Sequence, residues 1–213
     1  MISDNLFCLK GKTALVTGGS TGIGLMATVG LVSAGAKVFI VSRKLENCQN
    51  AAEELNNCDF EGKVIPFRGD LSSEAGINDI TNEIYSKNLK LHILINNAGR
   101  TWGSDLNSFP YDAWAKVLNL NVSAIFYLTQ KLVPLLASSS KSDFPSRVVN
   151  IGSVMGEVPM GDGAYSYAAS KSAVHHITRI LAKELAERNI TVNALSPGPF
   201  QSNMTDFAIG DSK

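Results

Sequence analysis

Apolar residues fall along the chain in two rhythms. Short runs at residues 12–17, 37–41, 63–67, 91–95, 147–151 and 190–195 have the length and hydrophobicity of buried strands. Between them, apolar positions recur every three or four residues, the helical period. This pattern runs from Gly24 through Leu31, over 46–55 and 74–85, from Pro110 to Leu132, and from the stretch carrying Tyr167 towards Arg188. Ser72 and Ser73 are candidate caps for the third of these helices, and Pro110 suits the opening of the fourth. Strand and helix in steady alternation predict an α/β fold with a parallel sheet. The polar stretch 138–145 is too short to divide domains, so residues 1–213 read as one domain.

Glycines and polar residues gather where strands end. After Thr17 comes Gly18-Gly19-Ser20-Thr21-Gly22-Ile23-Gly24, then a helix. Strand, glycine turn and helix in that order make a phosphate cradle: without Cβ atoms the backbone N–H groups approach an anion, and the helix N-terminus adds partial positive charge. The spacing is Gly-x-x-x-Gly-x-Gly, which is neither the Gly-x-Gly-x-x-Gly fingerprint nor a P-loop. Ser42-Arg43-Lys44 follows the second strand, where a βαβ unit approaches the adenosine ribose. An acidic residue there would bind the 2′-hydroxyl of NAD, whereas Arg43 can pair with a 2′-phosphate, so NADP(H) is favoured over NAD(H). The alternative is a solvated Arg at a helix start. Asp70 and Asn97 stand at the carboxyl ends of the third and fourth strands, where open sheets bind ligands, although an Asn in a turn is as often structural.

The candidate chemistry lies late in the chain. Tyr167 and Lys171 are four residues apart, so a helix places both side chains on one face and sets an ammonium beside a phenol. A neighbouring cation is expected to lower the phenol pKa from its usual value of about 10 towards the range useful for acid–base work. Ser153, just past the fifth strand, would add a hydrogen bond to the oxygen that Tyr167 protonates. The long fourth helix carries an apolar stripe of Trp114, Val117, Leu118, Ile125, Phe126, Leu128 and Leu132, interrupted by Asn119 and Asn121. A buried Asn must find partners, either by bonding a neighbouring loop or by holding a catalytic water, and either Asn fits.

Composition narrows the partners. Nineteen basic and nineteen acidic residues cancel, which gives no electrostatic case for nucleic acid or a charged membrane and favours a small-molecule substrate. Cys8, Cys48 and Cys58 form no Cys-x-x-Cys pair, and His175 and His176 are adjacent with no completing cluster, so no metal site is expected. Both histidines read as packing or surface groups. No stretch reads as membrane-spanning and no targeting signal is evident, so the expected compartment is the cytoplasm.

TGGSTGIG at 17–24, NNAG at 96–99, an Asn in the long helix, Ser153, YAASK at 167–171 and PGP at 197–199 together resemble the short-chain dehydrogenase/reductases over nearly the whole chain. The resemblance implies a Rossmann-like doubly wound parallel sheet of about six strands, in the order 3-2-1-4-5-6, with helices on both faces. It implies a catalytic tetrad of Asn121, Ser153, Tyr167 and Lys171; Asn121 is preferred to Asn119 because the family's Asn-Leu/Val-x-x-x-Phe pattern matches 121–126. By the same resemblance, Gly18, Ser20, Gly22, Ile23, Gly24, Arg43, Asp70, Leu71, Asn97, Ala98 and Gly99 hold the adenosine and phosphate half of the cofactor. Tyr167, Lys171, Pro197, Gly198 and Ser202 surround the nicotinamide half, Lys171 bonds its ribose, and Asn121 keeps a water in line. Within the family, the run from NNAG through PYDAWAKVLNLNVSAIFYLTQ looks like the rhamnolipid-type 3-oxoacyl-carrier-protein reductases.

Such proteins usually continue past PGP with another helix and strand, which this chain is expected to lack. The implied function is NADPH-dependent hydride transfer to a ketone or 3-oxoacyl carbonyl. The rivals are a catalytically weak or truncated NADP-binding regulatory protein and an NAD-dependent secondary alcohol dehydrogenase. A homodimer, or a homotetramer, is the assembly implied.

Overall fold

Every predicted strand forms, and the strands meet in a single sheet. The computed structural model describes residues 7–87, 90–160 and 163–199. Its strands are β1 (Thr13–Thr17), β2 (Lys37–Ser42), β3 (Lys63–Arg68), β4 (Ile93–Asn96), β5 (Ser146–Ile151) and β6 (Ile190–Leu195). They are parallel and lie in the order β3-β2-β1-β4-β5-β6, as expected. The helices between them are α1 (Gly22–Ser33), α2 (Leu45–Asn56), α3 (Glu74–Ser86), α4 (Tyr111–Leu118), α5 (Ala124–Ser139) and α6 (Tyr165–Leu185).

Helices cover both faces because strand side chains alternate. Ala14 and Val16 of β1 join Val32 of α1 and Ala51 and Ala52 of α2 in one core. Leu15 joins Ile80 of α3, Leu128 and Leu132 of α5 and Leu181 of α6 in the other. The strand order reverses at β1, which lies between β2 and β4, and the crevice beyond the carboxyl ends of the strands there is the usual ligand position of such sheets. A buried polar chain fixes the elements under that crevice. Asn96 Nδ2 donates to Thr129 Oγ1 at 3.1 Å and to Asn150 Oδ1 at 2.8 Å, and Asn150 Nδ2 donates to Thr178 Oγ1 at 2.9 Å. β4, β5, α5 and α6 are thus tied together with these amides satisfied, which a dry core requires.

The single long helix expected from Pro110 is two helices joined by a π-helical segment, Asn119–Ser123, where the Ala124 N–H bonds back to Asn119 O. The extra residue per turn shifts the phase of the helix, a distortion common at functional sites. Trp114 and Phe126, placed in the apolar stripe by periodicity, are exposed, while Val117, Ile125, Leu128 and Leu132 are buried. The run Tyr111–Ser139 is long and apolar enough by length and composition to cross a membrane, contrary to expectation. Here its buried face is core, with Leu128, Leu132 and Leu136 packed in the same cluster as Leu94 and Val148 of β4 and β5.

Candidate active site

The glycine turn is shaped by close contacts. Gly18 and Gly22 adopt φ of +64° and +52°, which other L residues rarely tolerate. A Cβ on Gly24 would lie 2.1 Å from Gly18 O, so only glycine lets α1 start this near the end of β1. Thr21, the N-cap of α1, makes no side-chain capping bond, which leaves the first N–H groups of the helix available to an anion. Ser20 is buried and Ile23 half-buried in the same turn.

Asn97 steadies this turn from β4. Its Nδ2 donates to Thr17 O at 2.9 Å and to Gly18 O at 3.1 Å, while Thr17 Oγ1 accepts the N–H groups of Asn97 and Ala98, each at 2.9 Å. Thr17 escaped the sequence reading; a polar residue ending an apolar strand was its only signal. Arg43 is exposed after β2, and Asp70 is exposed past the end of β3 with Leu71 buried beside it. The Ser72 N–H, 2.9 Å from Asp70 Oδ1, holds the Asp70 carboxyl below the usual range, with a smaller contribution from the Arg43 charge. Arg43 is therefore within electrostatic reach of the same strand end.

Of the two asparagines, Asn119 is exposed and Asn121 is fully buried within the π segment. Asn121 Oδ1 accepts the Arg100 N–H, and its Nδ2 donates to Arg100 O and to Ser170 Oγ, all at 2.9 Å. The amide therefore staples the loop after β4 to α6. A Cβ on Gly99 would come within 3.2 Å of Asn121 Oδ1, so that glycine gives the amide room.

Ser153, Tyr167 and Lys171 converge at the end of β5. Ser153 is buried, and its hydroxyl is close enough to the Tyr167 hydroxyl to influence its titration. Lys171 is 5% exposed, and its Nζ donates to Ile151 O at 2.6 Å and lies 5.4 Å from the centre of the Tyr167 ring. The expected depression of the Tyr167 pKa by Lys171 does not occur. Burial raises the phenol above its ordinary value, and the influence of the Ser153 hydroxyl offsets only part of that rise. Lys171 is itself pushed down to about 8 by burial. Sequence spacing set the two groups on one face; it could not show that desolvation would outweigh their attraction.

The exit of β6 lies alongside. Gly152 N donates to Leu195 O at 2.7 Å and Val154 N to Pro197 O at 3.1 Å, which brings half-buried Pro197 and exposed Gly198 next to Ser153. Ser202 lies outside the described residues. Among the described residues no cluster of His, Cys, Asp or Glu could hold a metal. His176 is exposed and His175 is buried, both within the packing-or-surface reading; what sequence reasoning missed is the contact of His175 with the Ser153 N–H.

Comparisons with known proteins agree with this arrangement. The chain is 46% identical over 205 residues to the rhamnolipids biosynthesis 3-oxoacyl-[acyl-carrier-protein] reductase of Pseudomonas aeruginosa, covering 96% of this chain and 79% of that protein. It is 33% identical over 198 residues to the 3-oxoacyl-[acyl-carrier-protein] reductase FabG of Thermotoga maritima, covering 93% of this chain and 78% of that one. Its fold matches a Pseudomonas aeruginosa RhlG/NADP active-site complex with a TM-score of 0.90 at 46% identity, covering 97% and 79% of the two chains. A gluconate 5-dehydrogenase from Burkholderia cenocepacia in complex with NADP and tartrate matches with a TM-score of 0.87 at 27% identity, covering 99% and 80%. With the family profile described as short chain dehydrogenase matching residues 12–211, the chain belongs to the short-chain dehydrogenase family.

Proposed function

We propose that this chain is an NADPH-dependent oxidoreductase that transfers hydride to a ketone or 3-oxoacyl carbonyl and, in reverse, oxidises a secondary alcohol. The observation that carries this reading is the convergence of Ser153 and Tyr167, with buried Lys171 beside them, at the carboxyl end of β5. The glycine turn fits a dinucleotide: a Cβ would fill the space at Gly24, and the N-terminus of α1 has no side-chain cap. Gly18, Ser20, Gly22, Ile23 and Gly24 would hold the pyrophosphate. Arg43 would pair with the 2′-phosphate, and Asp70, Leu71, Asn97, Ala98 and Gly99 would edge the adenosine half.

Bound NADPH supplies the hydride. Tyr167 gives its hydroxyl proton to the substrate oxygen, and Ser153 holds that oxygen in line. A raised Tyr167 pKa keeps the phenol protonated at neutral pH, the form that reduction needs, and places the phenolate form needed for alcohol oxidation at alkaline pH. Lys171, with one of its three N–H groups on Ile151 O, offers the others to the nicotinamide ribose. Both N–H groups of the Asn121 amide are engaged, so a water it holds would meet its carbonyl groups instead.

Residues 1–213 act as one cofactor-binding unit on this reading, and its free cysteines suit a reducing compartment such as the cytoplasm. Exposed Trp114, Phe126 and Ile180 on α4, α5 and α6 suit a homodimer, which sedimentation would reveal. The function is tested by mixing the chain with NADPH or NADH and a panel of simple ketones and 3-oxoacyl thioesters. Carbonyl-dependent oxidation of NADPH in preference to NADH supports it. Preference for NADH, or no turnover of any carbonyl, rejects it.

A further inference from the structure

His175 is the one buried histidine that touches the candidate site, and nothing in the proposed chemistry uses it. It lies one helical turn beyond Lys171 on α6, so the two side chains leave the same face and reach the same strand end. Lys171 takes the carbonyl of Ile151 at 2.6 Å, and His175 Nε2 accepts the N–H of Ser153 at 3.3 Å. Between those contacts sits Gly152, where a Cβ would stand 2.1 Å from His175 Nε2. One turn on, a Cβ at Gly156 would stand 2.8 Å from His175 Cε1. The segment carrying Ser153 is therefore moulded to this imidazole by two glycines and one hydrogen bond.

The ring also reaches the neighbouring strand exit. Ser196 Oγ lies 3.1 Å from His175 Nε2, next to Pro197. A backbone N–H can only donate, so Nε2 must present its lone pair to Ser153; the Ser196 hydroxyl can reach that nitrogen only as a donor, and its single proton also has Glu157 Oε1 at 3.4 Å as an acceptor. The imidazole proton then belongs on Nδ1, which faces Glu157 Oε1 at 3.4 Å without forming an aligned hydrogen bond. In this tautomer His175 holds the end of β5 through Ser153 and lies against the exit of β6 at Ser196.

We infer that His175 is a positioning residue: its Nε2 lone pair, by holding the Ser153 N–H, sets the Ser153 side chain towards Tyr167. This rests on the proposed role of Ser153 and Tyr167. The Ser153 backbone is extended, with φ of −169° and ψ of 151°, and its Oγ already accepts the Met155 N–H at 3.2 Å, so a turn of this one residue would carry Oγ away from the Tyr167 hydroxyl. The expected consequence is on the chemical step, since small misplacements at a reacting centre lower kcat by roughly 10- to 100-fold.

The test compares wild type, His175→Leu, which lacks an acceptor, and His175→Gln, whose amide oxygen reaches towards the Ser153 N–H. Turnover is expressed per NADPH-binding site, which removes any misfolded fraction. His175→Leu should lose roughly 10- to 100-fold in kcat with its NADPH Kd within about threefold of wild type, and His175→Gln should recover most of the loss. If His175→Leu does not fold, His175→Asn takes its place, because its shorter amide stops short of Ser153. Histidine 15N shifts of the wild type give an independent readout: His175 should carry its proton on Nδ1, and His92, whose Nδ1 accepts the Thr13 N–H at 3.0 Å, on Nε2. An active wild type with an equally active Leu or Asn variant, or with His175 protonated on Nε2, overturns this inference and leaves the reductase reading standing. A wild type that binds NADPH but turns over no carbonyl overturns both.

Discussion

Lys171→Met tests the energetics of the site without any need for substrate. The ammonium is buried with no carboxylate against it among the described residues, and its pKa falls from 10.5 to about 8. The sign follows from proton linkage. Between the folded and unfolded pKa values the unfolded chain binds the extra proton, so stability rises with pH across that window. At neutral pH the buried charge costs about 3 kcal/mol. Methionine removes this cost, but it leaves Ile151 O without its donor, a loss of about 1–3 kcal/mol, so near pH 7 the two proteins should be close in stability. The pH dependence is the cleaner measure. From about pH 7 to about pH 10 the wild type should gain about 2.5 kcal/mol relative to Lys171→Met. For a chain of this size that is a relative rise in Tm of about 5–10 °C. Other titrating groups are common to both proteins and cancel, Tyr167 included, because its raised pKa is set by burial and Ser153. Denaturant unfolding of both cofactor-free proteins at several pH values measures the difference. Parallel stability curves would refute the claim that Lys171 is held as a desolvated cation.

Other sites make sharper yes-or-no statements. Arg43→Ala should weaken NADPH binding about tenfold or more while leaving NADH nearly unchanged, read by fluorescence titration; equal weakening of both would remove Arg43 from phosphate recognition. Gly24→Ala forces a Cβ to 2.1 Å from Gly18 O, which is backbone and cannot swing aside, so it should cost about 1–3 kcal/mol in denaturant unfolding and abolish cofactor binding. An Ala variant that binds normally would show that the turn is looser than described. Burial and the charges of Lys12, Lys90 and Lys141 lower the pKa of His92 from 6.5. The unfolded chain therefore takes up this proton first as pH falls, and stability should decline from about pH 6.5 downwards, a slope that His92→Gln should flatten.

The alternation of six apolar runs with helical stretches made a parallel α/β fold legible, but the strand order came from the family resemblance of the glycine turn, NNAG and YAASK and not from the pattern itself. The helix carrying the asparagines was harder. Periodicity alone could not choose between Asn119 and Asn121, since a π segment shifts the inward face in a way that no 3.6-residue count anticipates. The same blindness put Trp114 and Phe126 in the core. Spacing placed Tyr167 and Lys171 together but said nothing of how deeply they are buried, and burial decides both pKa directions. His175 passed as packing because its partner is a backbone N–H twenty-two residues away, a kind of contact that residue types do not encode.

The central claim is that Tyr167 is the proton donor of an NADPH-dependent reductase, and its most direct test is one comparison. Wild type and Tyr167→Phe are titrated with NADPH and then mixed with a 3-oxoacyl thioester or ketone that the wild type reduces. The account predicts similar NADPH affinity and a loss of turnover of roughly 10²–10⁴-fold in the Phe variant. Wild-type turnover by Tyr167→Phe would contradict it.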